Sequence, residues 1–263
     1  LCFRTTLSST NGVTWIKYSG NPLNLGLIVV SDPWVIYDGQ MFKMWYSGWT
    51  GPSLDIGQIY YATSSDGVNW NLCGIVLDRG APGSWDDYNV RRPVVLFDGT
   101  EYKMWYTGSR STQLPYIIGY ATSPDGIIWT KHQANPVLVP GGNGGWDDWS
   151  FADFTVVFNG THFIVWYGAM AYYAGTTRIG VATSIDGISW TKYSNNPVLV
   201  PGPSEWDNQH LFGGAVIMKG SCYQMWYSGK GYSNTARVGL ATSPDGFSWS
   251  KYEGNPVLEP GPP

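Results

Sequence analysis

One short pattern recurs along the chain: a turn of the form S-x-D-G or S-T-N-G, followed by Trp three residues after its Gly. It occurs five times, and the copies end at Trp15, Trp70, Trp129, Trp190 and Trp249. Successive copies therefore lie about 60 residues apart. A period of this length, built from short strands and tight turns, is typical of a β-propeller with one blade in each period.

Two further landmarks recur along the chain four times each, an N-P dipeptide and a run resembling K-M-W-Y-S-G. The turns predict strand pairs that we name c and d, near residues 3–18, 57–71, 117–131, 178–192 and 237–251. The K-M-W-Y-S-G runs predict strand pairs that we name a and b, near residues 33–48, 93–108, 153–168 and 213–229. We therefore predict an all-β chain, a single five-bladed propeller domain over residues 1–263 with four-stranded blades.

The two kinds of strand pair do not balance, since the sequence holds five c–d pairs and four a–b pairs. Three explanations stay open. The sequence is truncated or processed, a neighbouring chain supplies the remaining a–b pair, or the ring has four inner pairs and a spare hairpin. We expect the incomplete blade to favour self-association, because an unpaired strand edge is a template for another chain.

Composition narrows the class of partner. The net charge is −4 with no basic run, which argues against nucleic acid as a partner. No apolar run approaches the roughly 20 residues that span a bilayer, so we expect no membrane partner. Cys2, Cys73 and Cys222 lack metal-ligand spacing, and we expect buried thiols. We expect an extracellular or periplasmic location.

The turn glycines carry a conformational prediction. Tight Asn-Gly and Asp-Gly hairpins need positive φ, which glycine adopts without steric cost. We expect positive φ at the five turn glycines: Gly12, Gly67, Gly126, Gly187 and Gly246.

The candidate site lies where strand a begins, because the variable b–c and d–a loops meet at that end of the ring. Seven residues before each a–b turn glycine stand Asp32, Arg92, Asp153 and Gly213. This position changes its chemistry between copies, whereas other structural positions repeat. Two carboxylates and an arginine around one channel mouth suit acid/base chemistry or sugar binding. The alternative is ordinary channel lining in which Arg92 neutralises a carboxylate.

The S-D-P-W-V run at 31–35 and the F-A-D-F-T-V-V-F-N-G run at 151–160 resemble inner-strand starts of the five-bladed glycoside hydrolases of families 43, 32, 62, 68 and 130. Family 43 is the closest in motif. The resemblance implies that Asp32 is the catalytic base and Asp153 the carboxylate that tunes the pKa of the acid. The acid Glu of family 43 would fall near Leu211–Gly214, where the sequence has no carboxylate.

Three W-D segments precede strand a, and their repetition indicates that the Trp and the first Asp are structural. The variable neighbours are candidate ligand contacts: Asp87, Asp148 and His210, together with Trp49 and Trp149 as sugar-stacking rings and Arg92. His210 is a structural residue, a replacement for the missing acid, or part of a metal site. The resemblance makes calcium in the central channel an option, because some family 43 relatives hold it there, and no cofactor is expected to be required.

These observations lead to one function with rivals. We predict a propeller that recognises a saccharide or glycan at the channel mouth, with weak or absent glycosidase activity. The first rival is a non-catalytic propeller that binds sugars or proteins. The second is a purely structural module of a larger extracellular protein. The missing acid favours the rivals, and the change of residue at Asp32, Arg92 and Asp153 favours a site.

Overall fold

The computed structural model describes residues 7–260, except 22, 24, 26–28, 51–55, 112–114, 174 and 234. The regular structure in this part is entirely β, which confirms the predicted all-β class. The strands are β1 (Leu7–Ser8), β2 (Ile16–Lys17), β3 (Val30–Tyr37), β4 (Phe42–Thr50), β5 (Ile56–Ser64), β6 (Asn71–Leu77), β7 (Asn89–Phe97), β8 (Tyr102–Ser109), β9 (Ile117–Ser123), β10 (Thr130–Lys131), β11 (Ser150–Phe158), β12 (Phe163–Met170), β13 (Thr177–Ser184), β14 (Thr191–Lys192), β15 (His210–Lys219), β16 (Cys222–Lys230), β17 (Ala236–Ser243) and β18 (Ser250–Lys251). The described residues include no helix of the length and apolarity that a membrane crossing requires.

The strands pair in chain order as antiparallel sheets. Strands β3–β6 form one four-stranded sheet and β7–β10 another. Strands β11–β14 and β15–β18 repeat the arrangement and are joined by one parallel pair between Thr177 and His210. In the described part of the chain, β1 and β2 pair only with each other.

The chain divides into two compact units. The described residues of Leu1–Ser8 and Ile16–Val139 form unit 1, and those of Ser9–Trp15 and Pro140–Pro263 form unit 2. Unit 1 contains the sheets β3–β6 and β7–β10, and unit 2 contains β11–β18. The predicted single domain of five blades stays a prediction.

The turns between strands c and d have the predicted conformation. In the third copy, the Ser123 hydroxyl accepts a hydrogen bond of 2.8 Å from the Gly126 N–H, and Asp125 accepts bonds from the next two amides. All five turn glycines have positive φ, between 74° and 82°. The sequence pattern works because every one of these bonds is local, and the prediction is confirmed.

The W-D segments form a buried polar cluster in three sheets. Asp147 is 5% exposed and accepts hydrogen bonds from Lys192 at 2.6 Å and from the Tyr167 hydroxyl at 3.5 Å. The Trp146 ring stacks on Tyr167 at 5.9 Å. The same Asp, Lys and Tyr meet around Asp86 and Asp207. The Trp and the first Asp are therefore structural, as predicted.

The N-P landmark fixes strand c to the chain that follows it. The Asn135 side chain accepts a bond from the Tyr120 N–H at 2.8 Å and donates one to the Tyr120 carbonyl at 2.9 Å. Asn196 and Asn255 repeat the arrangement, and the peptide bond to each following proline is cis.

Within unit 2, the N-terminal turn packs on β16 as a c–d turn of a further blade would. The Trp226 indole donates a 2.7 Å bond to the Gly12 carbonyl, as Trp166 does to Gly246 in the preceding copy. The Trp15 ring also lies edge-to-face on Trp226 at 6.0 Å. Residues 3–6 of the predicted hairpin lie outside the described residues. Among the described residues, no a–b pair is joined to this hairpin in the same sheet.

One face of β3 is exposed in unit 1. Val35 is 46% exposed, whereas its counterparts Val95 and Val156 are 0% and 1% exposed. Strand β7 packs against β3 inside unit 1, which buries Val95. The inner strand of an enclosed blade is apolar on both faces, so the exposure of Val35 marks a face that no described strand of unit 1 covers.

Two predictions require correction. Strand a begins three or four residues earlier than predicted, at Val30, Asn89, Ser150 and His210, because pairing with strand b continues on both sides of a bulge. The thiols are not buried: Cys73 lies exposed on the outer strand β6, and Cys222 lies exposed beside the a–b turn. Cys2 lies outside the described residues.

Candidate functional site

Each strand a carries a β-bulge at the position where the sequence pattern breaks. The pairing register with strand b shifts between Ser31 and Trp34, and equivalent shifts follow Arg91, Phe151 and Phe212. The four bulges contain the predicted residues Asp32, Arg92, Asp153 and Gly213. A bulge re-aims a side chain away from the regular alternation of a strand, and bulges are frequent beside functional sites.

Two of these bulges hold a strained backbone. Asp32 has φ of 52° and Arg92 has φ of 53°, and they are the only non-glycine residues with positive φ among those described. A non-glycine residue in this region costs about 1–3 kcal/mol and persists where the surrounding structure enforces it. Each is followed by a proline, Pro33 or Pro93, which further limits the backbone. Such residues cluster at functional sites.

The two strained bulges lie side by side in unit 1. The Arg92 N–H donates a 2.9 Å hydrogen bond to the hydroxyl of Ser47, which is fully buried. Ser47 pairs with Ser31 across β3 and β4, and the Ser31 hydroxyl donates a 2.6 Å bond to Oδ2 of Asp32. Two serines therefore connect the Arg92 backbone with the Asp32 carboxylate, which is half-buried.

Aromatic rings surround the arginines of this site. The Arg91 guanidinium lies 4.2 Å from the centre of the Tyr116 ring and 5.5 Å from that of Trp49. The Arg92 guanidinium lies 5.3 Å from the centre of Tyr116. Trp49, predicted to stack on a sugar, thus offers one face to Arg91. The sequence analysis missed Arg91 and Tyr116, although Arg91 adjoins the break in the repeat and Tyr116 ends a variable loop.

In unit 2 the equivalent bulges are Asp153 and the glycine pair Gly213–Gly214. A Cβ at Gly213 would collide with the Asp153 carbonyl, and one at Gly214 would collide with the Trp226 carbonyl. The close backbone approach leaves no room for a glutamate at either position. The convergence of Asp32, Arg92 and Asp153 on one mouth stays a prediction.

The second Asp of each W-D segment holds its own loop. Oδ2 of Asp87 accepts a 2.6 Å bond from the Gly83 N–H. Both oxygens of Asp148 accept 2.8 Å bonds, from the Gly144 and Tyr172 N–H groups. These bonds, first that from Tyr172, lower the pKa of Asp148. The two carboxylates predicted to contact ligand therefore hold their own loops in place.

His210 and Trp149 also make contacts of their own in unit 2. Nδ1 of His210 lies 2.9 Å from the Thr177 hydroxyl, and its ring stacks on Phe212. Burial, and secondarily the charge of Lys230, lowers the pKa of His210. Trp149 meets Tyr172 edge-to-face at 5.3 Å.

The described residues contain no group of three His, Cys, Asp or Glu side chains that could hold a metal ion. Calcium in the channel stays a prediction.

No family model matches the chain. An uncharacterised protein of Mycobacterium tuberculosis is 27% identical over 218 residues, which cover 79% of this chain and 69% of that protein. An A type blood N-acetyl-α-D-galactosamine deacetylase of Flavonifractor plautii is 27% identical over 124 residues, but these make up only 15% of that protein and 38% of this chain.

Solved structures resemble the chain over most of its length. A glycoside hydrolase superposes with a TM-score of 0.75 and 21% identity, over 89% of this chain and 76% of that one. The chain has the fold of the propeller glycoside hydrolases. A thermostable family 43 glycoside hydrolase superposes with a TM-score of 0.70 and 22% identity, over 91% of this chain and 76% of that one. A β-1,2-mannobiose phosphorylase from Listeria innocua superposes with a TM-score of 0.70 and 14% identity, over 88% of this chain and 77% of that one. The predicted resemblance is thus confirmed. At sequence identities of 14–22% it concerns the fold alone.

Proposed function

We propose that the chain binds a saccharide at the end of the sheets where the strand-a bulges lie, with weak or absent glycosidase activity. The observation that carries this proposal is the pair of strained bulges at Asp32 and Arg92. Strain at two neighbouring polar residues is retained where their side chains are needed in a fixed position. The solved relatives include complexes described with RGII and with β-1,2-mannobiose, which supports a saccharide as the ligand class.

The chemistry of the site suits sugar recognition. The Asp32 carboxylate can accept hydrogen bonds from sugar hydroxyls, the Arg92 guanidinium can donate them, and Trp49 supplies apolar surface. In a hydrolytic reaction Asp32 would act as the base. Hydrolysis also needs a second carboxyl group as the acid, and the family position for it is held by Gly213–Gly214. Binding with little turnover follows from this set of residues.

Two of the four glutamates of the chain are held in ion pairs. Glu101 lies 2.6 Å from Lys103 beside the a–b turn, at the opposite end of strand a from the bulges. Glu259 lies 2.7 Å from Arg237. The rival proposal is a non-catalytic structural or protein-interaction module of an extracellular protein, which would have the same fold but would bind no saccharide.

We further propose that the exposed face of β3 takes part in self-association. Val35 is exposed there, whereas its counterparts in two other sheets are buried. Covering such a face removes apolar surface from water, which favours contact with a second copy of the chain.

The test is a glycan array followed by calorimetry on the best ligand. We expect the wild-type chain to bind at least one saccharide and Asp32→Asn to bind it at least tenfold more weakly. Asn keeps the shape and tolerates positive φ, so the variant should stay folded. The matched control is Glu253→Gln, which neutralises an exposed carboxylate elsewhere.

Three outcomes contradict parts of the proposal. If no glycan on a broad array binds, the saccharide itself is wrong and the structural-module rival replaces it. If Asp32→Asn binds as well as the wild type, the site lies elsewhere. Efficient cleavage that Asp32→Asn abolishes would show an active enzyme with another acid.

A further inference from the structure

A cleft of about 290 Å³ opens in unit 2 between the W-D loop before β11 and the loop that joins β12 to β13. Its walls include Asp148, Tyr173, Thr176 and Arg178. These residues lie outside the Asp32 and Arg92 bulges of unit 1, and the proposed saccharide contacts described above do not include them. The cleft combines aromatic, cationic and hydroxyl groups, which is the mixture that polar-ligand sites employ.

The aromatic wall is exposed and held in place. Tyr172 is 58% exposed and Tyr173 is 92% exposed, and their rings meet edge-to-face at 4.8 Å. Trp149, in the neighbouring W-D segment, meets Tyr172 edge-to-face at 5.3 Å. Oδ1 of Asp148 accepts the Tyr172 N–H at 2.8 Å and so ties this loop to the neighbouring W-D loop. The loop is therefore anchored at Tyr172, and the Tyr173 ring beside it is open to a ligand.

The cation in the wall differs from its counterpart in the next sheet. Arg237 occupies the same place in β17 as Arg178 in β13, and its Nε lies 2.7 Å from Glu259. Glu259 follows Leu258, which forms an isolated β-bridge with Val238, the residue after Arg237. In the preceding sheet Leu199 forms the same bridge with Ile179, the residue after Arg178, and Leu199 is followed by Val200. Val200 therefore stands where the acidic partner of Arg178 would be.

This replacement leaves a positive charge in the cleft. Among the residues that the structure describes, no carboxylate forms an ion pair with Arg178. The Thr176 hydroxyl in the same wall is buried and has no hydrogen-bond partner among them. The one carboxylate of the cleft wall, Asp148, already accepts amide hydrogen bonds at both oxygens. An anion with an apolar ring face would complement this set.

We propose that the cleft is a subsite for a hexuronate residue of an acidic saccharide. The Arg178 guanidinium receives the sugar carboxylate through charge-assisted hydrogen bonds, and the Tyr173 ring stacks against the apolar face of the pyranose. The inference rests on the proposed saccharide binding and names its substrate class.

The test compares matched ligands on the whole chain. Hexuronate oligosaccharides are titrated beside their carboxyl-reduced, neutral counterparts with the same linkages. We expect the wild type to prefer at least one acidic ligand over its reduced form by about tenfold, since the reduced form lacks the charge-assisted hydrogen bond to Arg178. The preference should weaken as salt is raised.

Variants separate the two contacts. Arg178→Ala should bring the acidic and reduced ligands to equal affinity, whereas Arg237→Ala, its paired counterpart, should leave the preference unchanged. Val200→Glu recreates the Glu259 arrangement on a side chain that is 48% exposed, and should abolish the preference without unfolding. Tyr173→Ala should weaken both ligands by the same factor, whereas Tyr232→Ala, at a Tyr 80% exposed in the next sheet, should weaken neither.

The two proposals fail in different ways. If saccharides bind but reduced ligands bind as tightly as acidic ones, or if Arg178→Ala keeps the preference, the hexuronate subsite is wrong and saccharide binding stands. If no ligand of either kind binds and the glycan array is also blank, both proposals are wrong.

Discussion

The Arg92 N–H donates a 2.9 Å hydrogen bond to the buried hydroxyl of Ser47, one blade away in the chain. This bond holds the strained bulge at Arg92 against the sheet that carries the strained bulge at Asp32. The candidate site of unit 1 is thus shaped by a contact between two repeats, and each repeat alone would leave the Arg92 backbone unsupported.

Each buried Asp of the W-D cluster should depend on its Lys partner for stability. Lys192→Met leaves Asp147 buried without its cation, and removing one partner of a buried pair is strongly destabilising. Because the Lys192 side chain is 28% exposed, we expect a loss of about 2–3 kcal/mol in the free energy of unfolding, measured by urea denaturation.

The control for this pair is Lys103→Met. The Lys103 side chain is 15% exposed, but its partners Asp98 and Glu101 are 39% and 41% exposed and stay solvated when the cation is removed, so the change should cost about 1 kcal/mol or less. Equal losses in the two variants would contradict a structural role specific to the W-D cluster.

The turn glycines allow strain and contact to be separated. Gly126 has φ of 80°, and an added Cβ would lie 2.9 Å from the Trp45 ring. Gly126→Val should therefore destabilise by roughly 1 kcal/mol or more, read from thermal unfolding. Gly99→Val is the control, because it also has positive φ but its Cβ would meet nothing within 4 Å. A smaller loss at Gly126 than at Gly99 would contradict the packing of this turn on Trp45.

Features that depend on local bonds were predictable from the sequence. The Ser123–Asp125–Gly126 turn contains its own hydrogen bonds, and the spacing of the repeats predicted the order of the strands. The positive φ at Asp32 and Arg92 was not predictable, because it depends on a bulge and on a serine 45 residues away from Arg92. The exposure of Cys73 likewise depends on its place in the outermost strand of its sheet.

The cleft of unit 2 shows the same limit. The sequence shows that one repeat has Val200 where the next has Glu259. Their meaning depends on strand register, which sets Glu259 beside Arg237 and Val200 beside the position of Arg178. Repetition located the structural residues, and the departures from repetition needed the fold before they could be assigned a role.

His210 should make stability depend on pH. Burial depresses its pKa in the folded state, so the unfolded chain binds its proton more readily. The stabilisation is present above the ordinary pKa of about 6.5 and is lost as the pH falls through the depressed value. His210→Gln should flatten the fall in melting temperature between about pH 7 and 5. Identical slopes in wild type and His210→Gln would contradict this.

The exposed face of β3 should promote association. Val35→Lys places a charge on that face, and we expect it to shift the protein towards monomer at concentrations where the wild type associates. Ile185→Lys is the control, since Ile185 is 77% exposed in a c–d turn of unit 2. Sedimentation equilibrium measures both. A wild type that stays monomeric at every concentration, or an equal effect of the two lysines, would contradict association through this face.

Asp32 should lower the stability of the fold through its strained backbone while its carboxylate contributes to saccharide binding. Asp32→Gly removes the carboxylate and at the same time relieves a positive φ that only glycine adopts freely. The relief of about 1–3 kcal/mol of strain competes with a glycine entropy cost of up to about 1 kcal/mol, so the melting temperature should stay level or rise. Saccharide affinity should fall at least tenfold, as for Asp32→Asn. Thermal unfolding and calorimetry on the same preparations test the two halves. If Asp32→Gly clearly destabilises the protein, the backbone at Asp32 is not strained, and if it also retains full affinity, the carboxylate has no part in binding.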